Sequence, residues 1–285
     1  MEQKDVKHNR DSEAESDQAG HGAHEEAVRL LADPSSWGQD ELPDRAETEH
    51  FDDQFKLQNG SRVAVIGGGP AGSMFSYYLL RNTHHLGIDI ELDIFEPRDF
   101  GYCGPAGCNH CGGVVSESLV QILGTEGVVF PAEVVQRGIQ AYEMHMDIGD
   151  VNIAASSYEK RIAAVYRGNG PRDSEPASIF SFDRYLLERA IESGATLHRQ
   201  MVSKVATSKE KPRLCTTDGS EREYDLLVVA CGINTTLLDV ISESECGYVR
   251  PQGLKSFVCE FHVGCEFIET RLGNSMHVFL LDIPR

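Results

Sequence analysis

Hydrophobic and polar positions change their rhythm several times along the 285-residue chain, and each change marks a predicted element. Residues 63–66 (VAVI) form a short, β-branched apolar run broken by glycines, which predicts a buried strand. Helix-compatible residues follow over 73–81, and a second β-run, IELDIF, spans 90–95 and leads into Glu96. A short helix is expected over 116–123, with Ser116 as its N-cap. Strands are expected over 128–135, 139–146, 151–155 and 162–166, and the polar stretch 169–176 reads as a loop. In SFDRYLLERAIESGA (181–195), Phe182, Leu186, Leu187, Ala190 and Ile191 recur at helical spacing, with Ser181 placed to cap the start and Gly194 at the exit. Residues 196–206 and 213–217 read as strands, and the nearly continuous run YDLLVVA (224–230) predicts a strand buried on both faces. Alternation returns at Phe257, Cys259, Phe261 and Val263, and again over 276–283.

This order predicts an α/β fold: a Rossmann-like domain over 59–250 with inserted strands, then an antiparallel β-sheet domain beginning within 251–285. Residues 1–58 carry about half of the net charge of −19 and little apolar periodicity, so a disordered acidic tail is expected there. A helix around 25–32 is the one ordered element that the tail suggests, and a docking segment for a partner is the alternative to a solvated tail. The acidic balance argues against nucleic acid as a partner. No apolar run reaches 18 residues and the N-terminus lacks a signal-peptide core, which predicts a cytoplasmic protein with no transmembrane segment. The sequence stops at Pro284 and Arg285, directly after a predicted strand, so a C-terminally incomplete chain is expected.

The chemistry concentrates at Gly67, Gly69 and Gly72, which have GxGxxG spacing between the first strand and the first helix. Gly67 permits the tight turn, Gly69 lets backbone amides approach a pyrophosphate, and Gly72 lets the helix pack closely on the sheet. Unpaired N–H groups and the positive end of the helix dipole favour an anion there without a basic side chain. Glu96 lies 24 residues beyond Gly72, at the tip of the second strand. A carboxylate there accepts hydrogen bonds from ribose hydroxyls and repels a 2′-phosphate, so FAD or NAD is expected rather than NADP. The small residues after the 224–230 strand, Gly232 among them, would let backbone approach a cofactor; a plain strand-to-helix turn is the alternative.

Cys103, Cys108 and Cys111 fall in FGYCGPAGCNHCGG with Cx4CxxC spacing, which matches three ligands of a plant-type iron–sulfur site. Three readings stand: a cluster or metal, a thiol loop beside a flavin, or inert buried thiols. The glycines around them, including Gly112 and Gly113, mark a loop with close backbone approaches. The eight cysteines show no disulfide framework.

With GGGPAG, Glu96, HCGGVVSESL, the FDRYLLERA helix and YDLLVVACG in this order, residues 60–285 resemble FAD-dependent oxidoreductases of the geranylgeranyl reductase type, within the wider group with the p-hydroxybenzoate hydroxylase fold. The resemblance implies that the 59–250 domain binds FAD, with Gly67, Gly69, Pro70, Ala71, Gly72 and Glu96 holding its ADP part, and that 251–285 begins an incomplete β-rich substrate domain. It also implies that Gly112 and Gly113 lie beside the isoalloxazine ring and that Cys111 is the thiol near the reacting face. It implies an electron donor such as NAD(P)H or ferredoxin and a small-molecule or prenyl-lipid substrate, with transient membrane contact. No metal ligand is assigned. The family's later Gly-Asp motif and its Tyr-x-Trp-x-Phe-Pro segment are not found before Arg285, and the Gly149–Asp150 pair reads as a turn. The implied activity is reduction of isoprenoid carbon–carbon double bonds. A flavin monooxygenase or halogenase, an iron–sulfur electron-transfer flavoprotein and a non-catalytic flavin-binding module are the alternatives.

Overall fold

The computed structural model describes residues 56–101, 113–154, 162–168, 180–206, 211–242, 247–253, 261 and 263–280. In chain order they form β1 (Ser61–Ile66), α1 (Pro70–His85), β2 (Ile90–Phe95), β3 (Val114–Val115), α2 (Glu117–Thr125), β4 (Val135–Ile139), β5 (Ala141–Met146), β6 (Gly149–Ala154) and β7 (Ile162–Val165). There follow α3 (Phe182–Glu192), β8 (Thr196–His198), β9 (Val202–Ala206), β10 (Arg213–Thr216), β11 (Glu221–Glu223), β12 (Leu226–Val229), α4 (Leu237–Ser242), α5 (Cys265–Phe267) with a π-helical turn (Ile268–Leu272), and β13 (Ser275–Phe279). All of them lie in one compact unit, Leu57–Arg285.

The centre is a parallel sheet of order β12-β1-β2-β8. β1 is apolar on both faces because both are covered. Val63 and Val65 pack with Leu92 and Ile94 of β2 beneath Leu80 of α1 and Leu187 and Ala190 of α3. Ala64 and Ile66 face the other way, with Phe95, towards Val205 and Leu214 of the antiparallel β9–β10–β11 meander and Leu237 and Ile241 of α4. Asp93 anchors that second layer: its carboxylate accepts from Tyr224 Oη at 2.7 Å and lies 2.8 Å from His198 Nε2, while the His198 ring stacks on Phe95. Burial, and then the Asp93 carboxylate, raises the Tyr224 phenol well above its ordinary range.

The inserted strands form two further sheets, β3-β7-β4 and β13-β5-β6. The first packs with α2 and α3 around Val115, Leu123, Val165, Phe182 and Leu186. In the second, the β5–β6 pair is antiparallel and the β5–β13 pair parallel. α3 starts as its sequence predicts: Ser181 Oγ accepts from Arg184 N at 3.2 Å and donates to the Phe100 carbonyl at 2.8 Å. Asp183, in its first turn, is fully buried in a two-point ion pair with Arg167, with both N···O distances 2.8 Å.

Several expected elements differ. The run 128–135 is not a strand until Val135; Val134 N instead bonds Pro131 O at 3.0 Å, closing a turn. The strand expected over 139–146 is split at Gln140 between two sheets, and that over 196–206 is split likewise after His198. Among the described residues β12 pairs only with β1, so at this sheet edge it is part-buried and Val229 is 40% exposed. Ile191 is 37% exposed rather than on the buried face of α3. Gly149 and Asp150 open β6, and the reversal falls at Asp147 and Ile148. The acidic tail over 1–55, the cysteine loop at 102–112 and most of the 255–263 alternation lie outside the described residues.

Candidate functional site

β1 delivers the chain to the glycine turn at the carboxyl edge of the parallel sheet, between the ends of β2 and β12. Gly67 N donates to Phe95 O at 2.9 Å, and Ala230 N donates to Ile66 O at 2.8 Å. Three of the glycines there are demanded by space. Gly67 has φ +105°, and a Cβ on it would lie 2.4 Å from Ala230 O. A Cβ on Gly68 would meet Glu96 Cβ at 2.8 Å, and one on Gly72 would lie 1.8 Å from Gly67 O. α1 therefore starts against β1 at a distance only glycine allows.

Gly69 is different. It caps α1 with φ −68° and ψ −175°, open to any residue, and a Cβ on it would meet nothing within 4 Å. Packing does not require glycine here, and the missing side chain leaves open space at the start of α1. Pro70 occupies the first helical position, where its fixed φ suits the helix and its missing N–H costs nothing. The N–H groups of Gly69, Ala71 and Gly72 have no hydrogen-bond partner among the described residues. No acidic residue lies in the first turn to neutralise the positive end of this 16-residue helix. Ser73 and Ser76, both fully buried, donate to Gly68 O at 2.8 Å and to Gly72 O at 2.7 Å, so the turn is braced from beneath. A positively polarised edge of N–H groups, with Ala71 exposed, Gly69 half-buried and Gly72 buried, beside open space at Gly69 fits the pyrophosphate of a dinucleotide.

Glu96 reaches the same turn from the end of β2. Glu96 is 2% exposed as a residue, and its carboxylate accepts from Gly68 N at 3.0 Å and from Arg98 N at 2.9 Å and is forked by the Arg98 guanidinium at 3.1 and 3.4 Å. The pattern of the sequence placed Glu96 here but not Arg98. A cation two residues after the acid, with the fixed φ of Pro97 between them, is the signal the sequence offers.

Gly232 has φ +75° and open space at its Cβ, and follows the Ala230–Cys231 backbone that abuts Gly67. Burial raises the pKa of the neighbouring Cys231 thiol, which favours its neutral form. Gly113 also has positive φ, +67°; a Cβ there would lie 2.3 Å from Val165 O, so its close approach is to the β7 backbone. Cys103, Cys108, Cys111 and Gly112 lie outside the described residues. Gly67, Gly69, Pro70, Ala71, Gly72 and Glu96 are thus brought together at one sheet edge, beside the end of β12 that leads to Gly232. No group of three metal-ligating side chains occurs among the described residues, and no described helix is long and apolar enough to cross a membrane.

No family model and no curated protein matches the sequence. Among solved structures, the chain is similar to a geranylgeranyl bacteriochlorophyll reductase-like protein from Thermoplasma acidophilum, with 14% identity and a TM-score of 0.49 over 65% of this chain and 42% of that one. It is similar to a flavin-dependent brominase, with 20% identity and a TM-score of 0.44 over 64% and 40% of the two chains. A halogenase in complex with phloroglucinol and FAD gives 11% identity and a TM-score of 0.45 over 61% and 35%. The chain spans less than half the length of each of these three proteins.

Proposed function

We propose that the glycine turn and Glu96 bind the ADP half of FAD, and that the chain belongs to a cytoplasmic FAD-dependent oxidoreductase that reduces carbon–carbon double bonds of an isoprenoid chain. The observation that carries the nucleotide reading is the contrast among the glycines: Gly67, Gly68 and Gly72 are fixed by packing, whereas Gly69 is not and leaves open space beside N–H groups that have no partner among the described residues. The isoprenoid substrate follows from the resemblance at GGGPAG, Glu96 and HCGGVVSESL.

In this reading the N–H groups of Gly69, Ala71 and Gly72 hold the pyrophosphate, and the α1 dipole balances its charge. Glu96 orients the ribose through its buried carboxylate. Gly232, Gly112 and Gly113 give backbone access to the remainder of the cofactor, and Cys111 orients the alkene or delivers the proton to the carbon that does not receive hydride. A flavin held there would supply that hydride once reduced by NAD(P)H or ferredoxin. The protein supplies position and a dry cavity.

The test is anaerobic: protein loaded with FAD and chemically reduced is mixed with a geranylgeranyl substrate. Flavin reoxidation with a product heavier by two hydrogens per reduced bond is the expected result. A flavin that stays reduced until oxygen is admitted, and then yields a hydroxylated or halogenated product, overturns the reductase assignment in favour of an oxygen-activating flavoenzyme.

A further inference from the structure

The acceptor sites of Glu96 are full. A carboxylate offers about four lone-pair positions. Oε2 accepts from Gly68 N and Arg98 Nη2, and Oε1 accepts from Arg98 N and Arg98 Nε. A ribose diol binds a carboxylate by donating its two hydroxyls, so nothing on Glu96 is free to receive them while the Arg98 side chain stays in place.

We infer that Arg98 is a specificity-determining gate on the ribose site, displaced when a nucleotide binds and then available to a 2′-phosphate. The inference rests on the dinucleotide reading of the glycine turn. Its geometry is selective. The two backbone donors, Gly68 N in the glycine turn and Arg98 N just after β2, stay with the carboxylate when the side chain leaves. What the guanidinium vacates is one position on Oε1 and one on Oε2, a position for each hydroxyl of a cis-diol. The longer contact, Nη2 at 3.4 Å, is the weaker of the two and yields first. Of the pair, Arg98 is the member that moves, because its side chain is 41% exposed whereas that of Glu96 is 3% exposed. The Phe100 ring, 5.1 Å from the guanidinium carbon, offers it an aromatic face near the site, and Arg199 holds the Arg98 carbonyl so that the backbone does not follow.

The displaced guanidinium remains a planar double donor on a short tether beside the ribose, a geometry suited to a phosphate on the 2′-oxygen. An acid at the end of the second strand by itself repels a 2′-phosphate. Glu96 forked by Arg98 does not, because the pair is neutral and its cation can turn outward. The site therefore accepts both a 2′-hydroxyl and a 2′-phosphate, and Arg98 sets the ratio.

Calorimetric titration of the full chain with ADP and with 2′-phospho-ADP, which carries the same 5′-diphosphate, tests this. For the unmodified protein the two affinities are expected to lie within about 5-fold of each other, the size of one hydrogen bond. Arg98→Ala opens the carboxylate permanently, so it is expected to bind ADP about 5-fold more tightly and 2′-phospho-ADP at least about 10-fold more weakly, the latter by loss of a charge-assisted pair. Arg98→Lys keeps a counter-charge for the buried Glu96 and serves if the alanine variant does not fold. It keeps 2′-phospho-ADP binding within about 3-fold and tightens ADP binding, because an ammonium cannot make the fork. A variant that shifts both ligands equally, or neither, shows Arg98 to be structural and overturns the gate. An unmodified protein that binds neither ligand overturns the dinucleotide reading, and the gate with it.

Discussion

The carbonyl oxygen of Gly67 stands 1.8 Å from where a Cβ on Gly72 would be, so α1 rests on the turn that precedes it with no room for a methyl group. Gly72→Ala must push the helix off the turn. A loss of about 3 kcal/mol is expected, at the upper end of overpacking costs because the opposing atom is backbone. The midpoint of urea denaturation measures it, and a midpoint unchanged from the unmodified protein would show that the helix can shift without cost.

Gly69→Ala should behave in the opposite way. Its φ of −68° suits alanine and nothing lies within 4 Å, so stability should stay within about 0.5 kcal/mol of the parent, as at ordinary surface positions. FAD affinity should fall by at least about 10-fold, because the methyl group enters the space assigned to the pyrophosphate, and 1.4 kcal/mol corresponds to a factor of about ten. Fluorescence titration of FAD checks the affinity and the urea midpoint checks the fold.

The buried Arg167–Asp183 pair joins the end of β7 to the first turn of α3. Asp183→Ala leaves a guanidinium that is 18% exposed facing a cavity, and should cost about 3 to 5 kcal/mol. Replacing both residues, Arg167→Met with Asp183→Leu, should cost less than the single change. Thermal unfolding of the two variants decides it, and a double variant worse than the single would show that the charges are net stabilising.

Asp218 closes the β10–β11 hairpin. Its carboxylate accepts from the Thr216 hydroxyl at 2.6 Å and from Ser220 N at 3.0 Å, and these bonds lower its pKa from 3.8 to about 2. A depressed carboxylate contributes stability that is present above its unfolded value and lost as pH falls through its folded one. The gap in urea midpoint between the unmodified protein and Asp218→Asn should therefore be constant above about pH 5 and close between about pH 4 and pH 2. A gap that does not change across this range would contradict the assignment.

What the sequence made legible was local. The order of strand, glycine turn, helix and acid is written within residues 61–96, and β1, α1 and β2 lie where it puts them. Ser116 and Ser181 cap α2 and α3 through bonds that each reach three residues ahead. The failures were decisions made at a distance. Nothing near Gln140 says that β4 joins β7 while β5, beside its local partner β6, joins β13; the break is set by β7 and β13, which come later in the chain. The apolar run of β12 reads the same in a central strand or an edge strand, and strand order alone distinguishes them. At the site, Glu96 was legible from spacing, whereas the engagement of its carboxylate by Gly68 and Arg98 is a matter of side-chain geometry.

The most direct test of the central claim is an amide spectrum of the isotopically labelled protein titrated with FAD. Saturable shifts of the Gly69, Ala71 and Gly72 N–H signals, larger than those of the Gly67 amide already bonded to Phe95 O, are expected if the pyrophosphate lies on this turn. Saturable FAD binding that leaves those three amides unmoved, or no binding by the folded chain, would contradict it.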